Sequence, residues 1–191
     1  KNIRAVIEEI NSRKIYLPPI QRKYVWDDDQ ITRLMDSIML GYPIGTFLFW
    51  KVRKSIINKK EYSMYEFIKD FHERDVYKNP SAPQPFPIGS DEETIWAVLD
   101  GQQRLTSLYI ALQGSMSRKL PNKRWKNDDA FPIKELYLDL HSQRTDEEDI
   151  SYEFKFLTQE EAKKQKDDKL WYLVKDILKY SQDELETDLI I

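Results

Sequence analysis

Residues 94–112, TIWAVLDGQQRLTSLYIAL, constrain the fold more than any other stretch of the chain. TIWAVL has the β-branched and aromatic character of a buried strand, whereas LTSLYIAL has apolar residues at helical spacing and ends near Gly114. Between them stand Asp100, Gly101, Gln102, Gln103 and Arg104. A strand passing into a helix within so few residues needs a tight turn, which Gly101 permits.

The five turn residues support two readings. In one, Asp100 is the helix N-cap, Gln103 completes an acidic version of the capping box, and Arg104 pairs with Asp100. In the other, the unpaired N–H groups and positive dipole end of the helix form an anion site. An arginine, two amides and a carboxylate then surround a place for a phosphate, its metal ion and an attacking water. The turn alone leaves both open.

A second constellation lies upstream in LPPIQRKYVWDDDQITRLMDSIMLGYPIG, where Gln21 and Arg22 follow a rigid proline pair and Tyr24 and Trp26 alternate behind them. Tyr24 and Trp26 suit a loop whose aromatics plug the core, while Gln21 and Arg22 are candidate site residues. Asp27 or Asp28 can cap a helix over DQITRLMDSIML, with Gly41 at its left-handed end.

The remaining chain alternates short elements. IRAVIEEI predicts a first helix, KIYL an edge strand or ordered loop, IGTFLFWKV a strand, and YSMYEFIKDFH a helix burying Met64, Phe67, Ile68 and Phe71. Residues 79–93 carry Pro80, Pro83, Pro85 and Pro87 and read as the most mobile loop, an insertion in character. KELYLDL and YEFKF predict strands, and TQEEAKKQKDDK predicts a helix opened by Thr158 and Glu161 in capping-box spacing. The tail from Leu170 predicts one or two amphipathic segments.

At 191 residues the chain is long enough for one domain with a sizeable core, and its 40% hydrophobic content is that of a folding sequence. No apolar run approaches the roughly 20 residues of a membrane span, so a cytoplasmic location is expected. There is no cysteine, which excludes disulfides and thiolate chemistry. With a net charge of -3 the chain has no global basic field, so nucleic-acid contact requires a local patch. The densest basic stretch, SRKLPNKRWK, sets Trp125 among Lys119, Lys123, Arg124 and Lys126, an interleaving suited to single strands or flipped bases as well as to a solvated loop. Without an initiator methionine and ending on DLII, the chain is expected to be a piece of something longer.

The order of proline pair, Gln-Arg, aromatic-x-Trp, SIMLGYPIG and VLDGQQRLTSL resembles the DUF262 family, the amino-terminal domain of GmrS/GmrD-type modification-dependent restriction systems. It is similar, more distantly, to the ParB-like fold. The resemblance implies an α+β fold, a small mixed sheet flanked by helices with the motif at a strand-to-helix turn. It also implies a ParB-like core over residues 1–115, with 116–191 as the C-terminal part of the same domain.

Functionally, the resemblance implies binding and metal-dependent hydrolysis of a nucleoside triphosphate, coupled to recognition or restriction of modified foreign DNA in antiviral defence. Carried over by position, Asp100, Gln103 and Arg104 are the catalytic candidates. Gln21, Arg22, Gly101, Gln102 and Arg104 would hold the nucleotide, and Asp100 would hold Mg2+ or another divalent metal. Tyr24, Trp26, Lys123, Arg124, Trp125 and Lys126 are candidates for DNA contact. Implied partners are DNA, a C-terminal or separate nuclease domain, and a second copy of the chain.

Two alternatives stay open beside the NTPase: a DNA- or protein-binding module without turnover, and a DNA-nicking nuclease. Double-strand cleavage is not expected from this chain alone, because His72 and His141 are its only histidines and neither stands in a nuclease-like context. No P-loop, dinucleotide glycine triad, His-Glu-x-x-His or Gly-x-Ser-x-Gly motif is present, so any nucleotide is bound without a P-loop.

Overall fold

The run of apolar residues preceding the motif becomes a central strand, β4 (Thr94–Asp100), because it can be covered on both faces. In the computed structural model, which describes residues 1–19, 23–60, 62–74, 79–86, 93–142, 151–164 and 168–180, β4 lies between β1 (Ile15–Tyr16), parallel to it, and β2 (Leu48–Arg53), antiparallel. Register sets Ile15 opposite Trp96, Tyr16 opposite Ala97, and Phe49 opposite Val98, with an irregularity between Leu48 and Phe49 beside the motif.

Alternation along β4 separates two hydrophobic cores. Val98 faces the larger one, built with α1 (Ile3–Asn11), α2 (Asp28–Met39) and α4 (Gln102–Gln113). Ile95 and Ala97 face the smaller, with Tyr16, Val52, Ile57 of α3 (Lys54–Lys60), Met64, Ala82 and Phe86. Every residue of α4 from Leu105 to Leu112 is buried, as expected of a helix packed on all sides.

Local rules explain the helix ends. Asp27 and Gln30 form a reciprocal capping box on α2, and the other end closes through Tyr42 N–H to Ser37 C=O and Gly41 N–H to Ile38 C=O, a Schellman arrangement with Gly41 at φ +72°. Thr158 and Glu161 cap α5 (Gln159–Lys163), which is shorter than the expected helix.

Two expectations are corrected. Residues 62–72 do not form a helix: Tyr65 exchanges backbone hydrogen bonds with Leu17 and bridges Ser81, and Asp70–His72 is a strand, β3. The helical spacing misleads because the segment runs between two cores, sending Met64 into the smaller and Phe67, Ile68 and Phe71 into the larger. The described part of the proline-rich segment, residues 79–86, is not a loose loop. Prolines lack N–H but keep their carbonyls, so Pro80 accepts from Glu66 N–H, Asn58 brackets the Phe86 backbone, and Ala82 and Phe86 are buried.

β3 pairs in parallel with β5 (Ser115–Ser117), and an antiparallel sheet in the order β7 (Phe154–Leu157), β6 (Glu135–Asp139), β8 (Trp171–Leu173) follows, with a 3-10 turn over Val174–Lys179. The fold is thus α+β, with small sheets and intervening helices. Leu136, Phe154, Phe156 and Val174 join the larger core, so it runs from α1 to the C-terminal sheet. Among the described residues no helix is long and apolar enough to cross a membrane.

A buried carboxylate fastens the two regions. Asp36 of α2 is 5% exposed and accepts from the backbone N–H groups of Ser151 and Tyr152 at 3.1 and 2.8 Å. Replacing it with alanine strands both donors. Hydrogen bonds to charged groups contribute about 1.5–3 kcal/mol each, so Asp36→Ala is expected to lower unfolding free energy by roughly 3 kcal/mol in urea titration.

Candidate functional site

Gly101, and not Asp100, occupies the N-cap of α4, at φ +83°, and α4 has no side-chain cap. The expected capping box between Asp100 and Gln103 is therefore absent. The left-handed turn leaves Asp100 at the exposed end of β4, its carboxylate 69% exposed and 3.7 Å from the Arg104 guanidinium, so the expected pair between them is present. With no side-chain acceptor supplied, the first-turn N–H groups of α4 keep the donor capacity typical of a helix start.

The side chains that follow brace the surrounding loops. Gln102 donates to the Val98 carbonyl at 2.8 Å, tying the helix back to its own strand. Gln103 accepts from Val25 N–H at 3.0 Å and donates to the Lys23 carbonyl at 3.1 Å. Arg104 donates to the Ile44 carbonyl and, at 2.9 Å, to the Thr46 carbonyl, while its guanidinium lies 5.0 Å over the Phe47 ring.

Two glycines make this approach possible. A Cβ on Gly45, at φ +83°, would lie 2.2 Å from Arg104 Nη1, and one on Gly101 would lie 2.5 Å from the Phe47 ring. Gly45 and Phe47 were not among the sequence candidates, although the glycine of GYPIGTF was an available signal.

Of the other candidates, Tyr24 turns inward: its hydroxyl is 2.8 Å from Ser107 Oγ and its ring packs edge-on against Phe71. Burial pushes the Tyr24 phenol well above its ordinary value, with its Ser107 hydrogen bond acting in the opposite direction. Trp26 is half-buried against the larger core, and its carbonyl accepts from Arg118, which also pairs with Asp28 at 2.7 Å. Gln21 and Arg22 lie outside the described residues.

The basic segment is divided in use. Arg118 serves the fold, whereas Lys123, Arg124 and Lys126 are exposed. Trp125, 43% exposed, rests edge-on against Phe131, which also stacks on His72. Asp128 beside it pairs with Arg74, so the patch is mixed in sign. His141 donates its backbone N–H to Asp139, and among the described residues no group of three or more His, Cys, Asp or Glu side chains converges as a metal cage.

Residues 3–190 match the family described as GmrSD restriction endonuclease, N-terminal domain. This chain belongs to that family. A curated relative, "Uncharacterized protein MJ0686" of Methanocaldococcus jannaschii, is 30% identical over 112 residues, which is 59% of this chain. The match covers 17% of that relative's length. In this GmrSD N-terminal domain the turn that carries the family resemblance is also the one that braces the loops at residues 23–25 and 44–47.

The bracing is measurable. An alanine in left-handed backbone is disfavoured by about 1–2 kcal/mol, a cost that Gly41→Ala bears alone because nothing lies within 4 Å of its added Cβ. Gly45→Ala must also displace Arg104, so its chemical-denaturation midpoint should fall further than that of Gly41→Ala.

A pH experiment follows from Tyr24. Its phenol is neutral in both states below pH 10.0, the ordinary value, so its contribution is complete there. Above that pH the unfolded chain ionises first, and stability falls as pH rises towards the higher folded value. Tyr24→Phe should flatten this alkaline loss in thermal melts, leaving the smaller tyrosine contributions of Tyr16, Tyr109, Tyr137 and Tyr172, which burial shifts in the same direction.

Proposed function

We propose that this domain binds a nucleoside triphosphate at the Asp100–Arg104 turn and hydrolyses it with a divalent metal, and that this turnover regulates recognition or restriction of modified foreign DNA. The observation that carries the reading is the uncapped start of α4 beside an exposed carboxylate. Backbone N–H groups at a helix start are suited to phosphate oxygens, and Gly101 allows close approach of the chain. The membership in a family of restriction endonuclease N-terminal domains supports the biological setting.

Mg2+ is commonly held by one or two carboxylates together with substrate phosphates. The donor set at the turn fits that mode: Asp100 would be the protein ligand, and the nucleotide would supply the rest. The metal would neutralise charge on the transferring phosphoryl group. Asp100 would also orient the attacking water. Gln102 and Arg104 would contact the nucleotide, Gln103 would assist catalysis by holding the loop at 23–25 in place, and Gln21 and Arg22 are carried as nucleotide-binding candidates.

The wider reading comprises a ParB-like arrangement, a cytoplasmic setting, DNA contact through Trp26, Lys123, Arg124, Trp125 and Lys126, a nuclease domain as partner, and self-association; Tyr24, turned inward onto Ser107 and Phe71, takes no part in that contact. A binding module without turnover is the second reading. It is favoured by the way Gln102, Gln103 and Arg104 all donate to backbone carbonyls of the domain itself.

Phosphate release across ATP, GTP, CTP and UTP, with Mg2+ and with or without modified DNA, separates the two. A nucleotide at a hundred times its dissociation constant should add about 2.7 kcal/mol to stability. Asp100→Ala or removal of Mg2+ should abolish turnover with the fold retained. Stabilisation without phosphate release would establish the binding module, and neither effect with any of the four would sink the nucleotide reading.

A further inference from the structure

Beside the turn, α1, β2 and α4 leave an apolar cavity of about 320 Å³ between them. Phe47 and Phe49 from β2 and its approach face Ile3 and Val6 of α1, with Leu105 and Leu108 of α4 behind, and Lys1, paired with Glu9, stands with Asn2 at the polar rim. A smaller recess of about 120 Å³ continues along Val6 and Phe49 to Ile15 and Trp96. The larger volume lies at the lower end of the range for small-molecule sites, about 300–1,000 Å³.

Three features of this cavity define its occupant. Its wall includes two phenyl rings 6.5 Å apart and tilted by 38°, a surface suited to a flat ring system. At its rim Asn2 uses its side-chain oxygen to cap Ala5 N–H, which leaves the amide NH2 group as the donor that can meet a ring carbonyl or ring nitrogen. Finally, Phe47 belongs to both places, since it lines the cavity, packs against Gly101 and lies beneath the Arg104 guanidinium. A ligand whose anionic end meets the start of α4 therefore has an aromatic-walled apolar recess adjoining it.

We propose that this cavity between α1, β2 and α4 is the nucleobase pocket of the triphosphate site, with Phe47 as the shared wall between base and phosphates. The inference rests on the nucleotide reading above. It assigns to Ile3, Val6, Phe47 and Phe49 the apolar binding of the base, and to Asn2 a polar contact at the ring edge. Val6 is half-exposed at the rim and lines both recesses, so a larger side chain there fills the space without entering the packed core.

The test compares wild type, Val6→Trp and Ile3→Trp for binding of the four nucleoside triphosphates and of inorganic tripolyphosphate, all with Mg2+, by calorimetry. Thermal melts confirm that at least one variant is folded. Wild type should prefer a nucleoside triphosphate to tripolyphosphate. The folded variant should lose about tenfold or more in nucleotide affinity, each tenfold being about 1.4 kcal/mol, with tripolyphosphate binding unchanged.

Equal wild-type affinity for tripolyphosphate and every nucleotide, or nucleotide affinity unaltered in a folded variant, overturns the pocket while the phosphate site stands. Wild type that binds neither ligand overturns both. A single-stranded oligonucleotide that competes with nucleotide and is weakened by the same variants would assign the cavity to an extruded DNA base, and so also overturns the inference.

Discussion

The arrangement around the motif depends on two side chains in the first turn of α4, Gln103 and Arg104, which hold the two loops facing them. Neither loop can satisfy its own backbone in a sheet. The first follows the Pro18–Pro19 pair and the second follows Pro43, and both take backbone hydrogen-bond partners from the helix instead. Gln103 supplies one acceptor and one donor to residues 23–25, much as a neighbouring strand would. Arg104 reaches two carbonyls at once, which a planar fork can do and a lysine ammonium cannot do in the same geometry.

This bracing starts from a helix that is itself packed along most of its length. Its buried length is enclosed by the larger core, and Gly101 joins it directly to β4, whose two faces serve different cores. The same helix positions Ser107 beneath Tyr24, so the loop at 23–26 is held both by its backbone and by an inserted ring. On the far side Asp36 ties α2 to residues 151 and 152, which lead into β7 of the C-terminal sheet. On the nucleotide reading, an anion at the start of α4 would lie next to both braced loops.

Much of the fold was legible because local and tertiary demands agreed. The capping boxes at Asp27 and Thr158, the Gly41 helix end, the central strand and α4 all follow from short-range rules. Legibility failed where one segment serves two masters. Met64, Phe67, Ile68 and Phe71 have helical spacing but are buried in two different cores, and the pairing of Tyr65 with Leu17 and Ser81 wins over the local preference. The proline-rich segment misleads for a related reason, since the apolar residues it buries and the carbonyls it offers matter more than the donors it lacks.

At the site, the sequence by itself determined the family, the strand-to-helix turn and the five residues at that turn, because these depend on the order and type of neighbouring residues. Only the tertiary structure decided what each side chain does there. Whether Asp100 caps the helix or stands exposed depends on the left-handed backbone of Gly101, and whether Gln103 and Arg104 face a ligand or a loop depends on chain segments about 60 to 80 residues away. The cavity beside the turn belongs to the same category. Its walls come from α1, β2 and α4, three separated stretches of chain whose proximity no local pattern specifies.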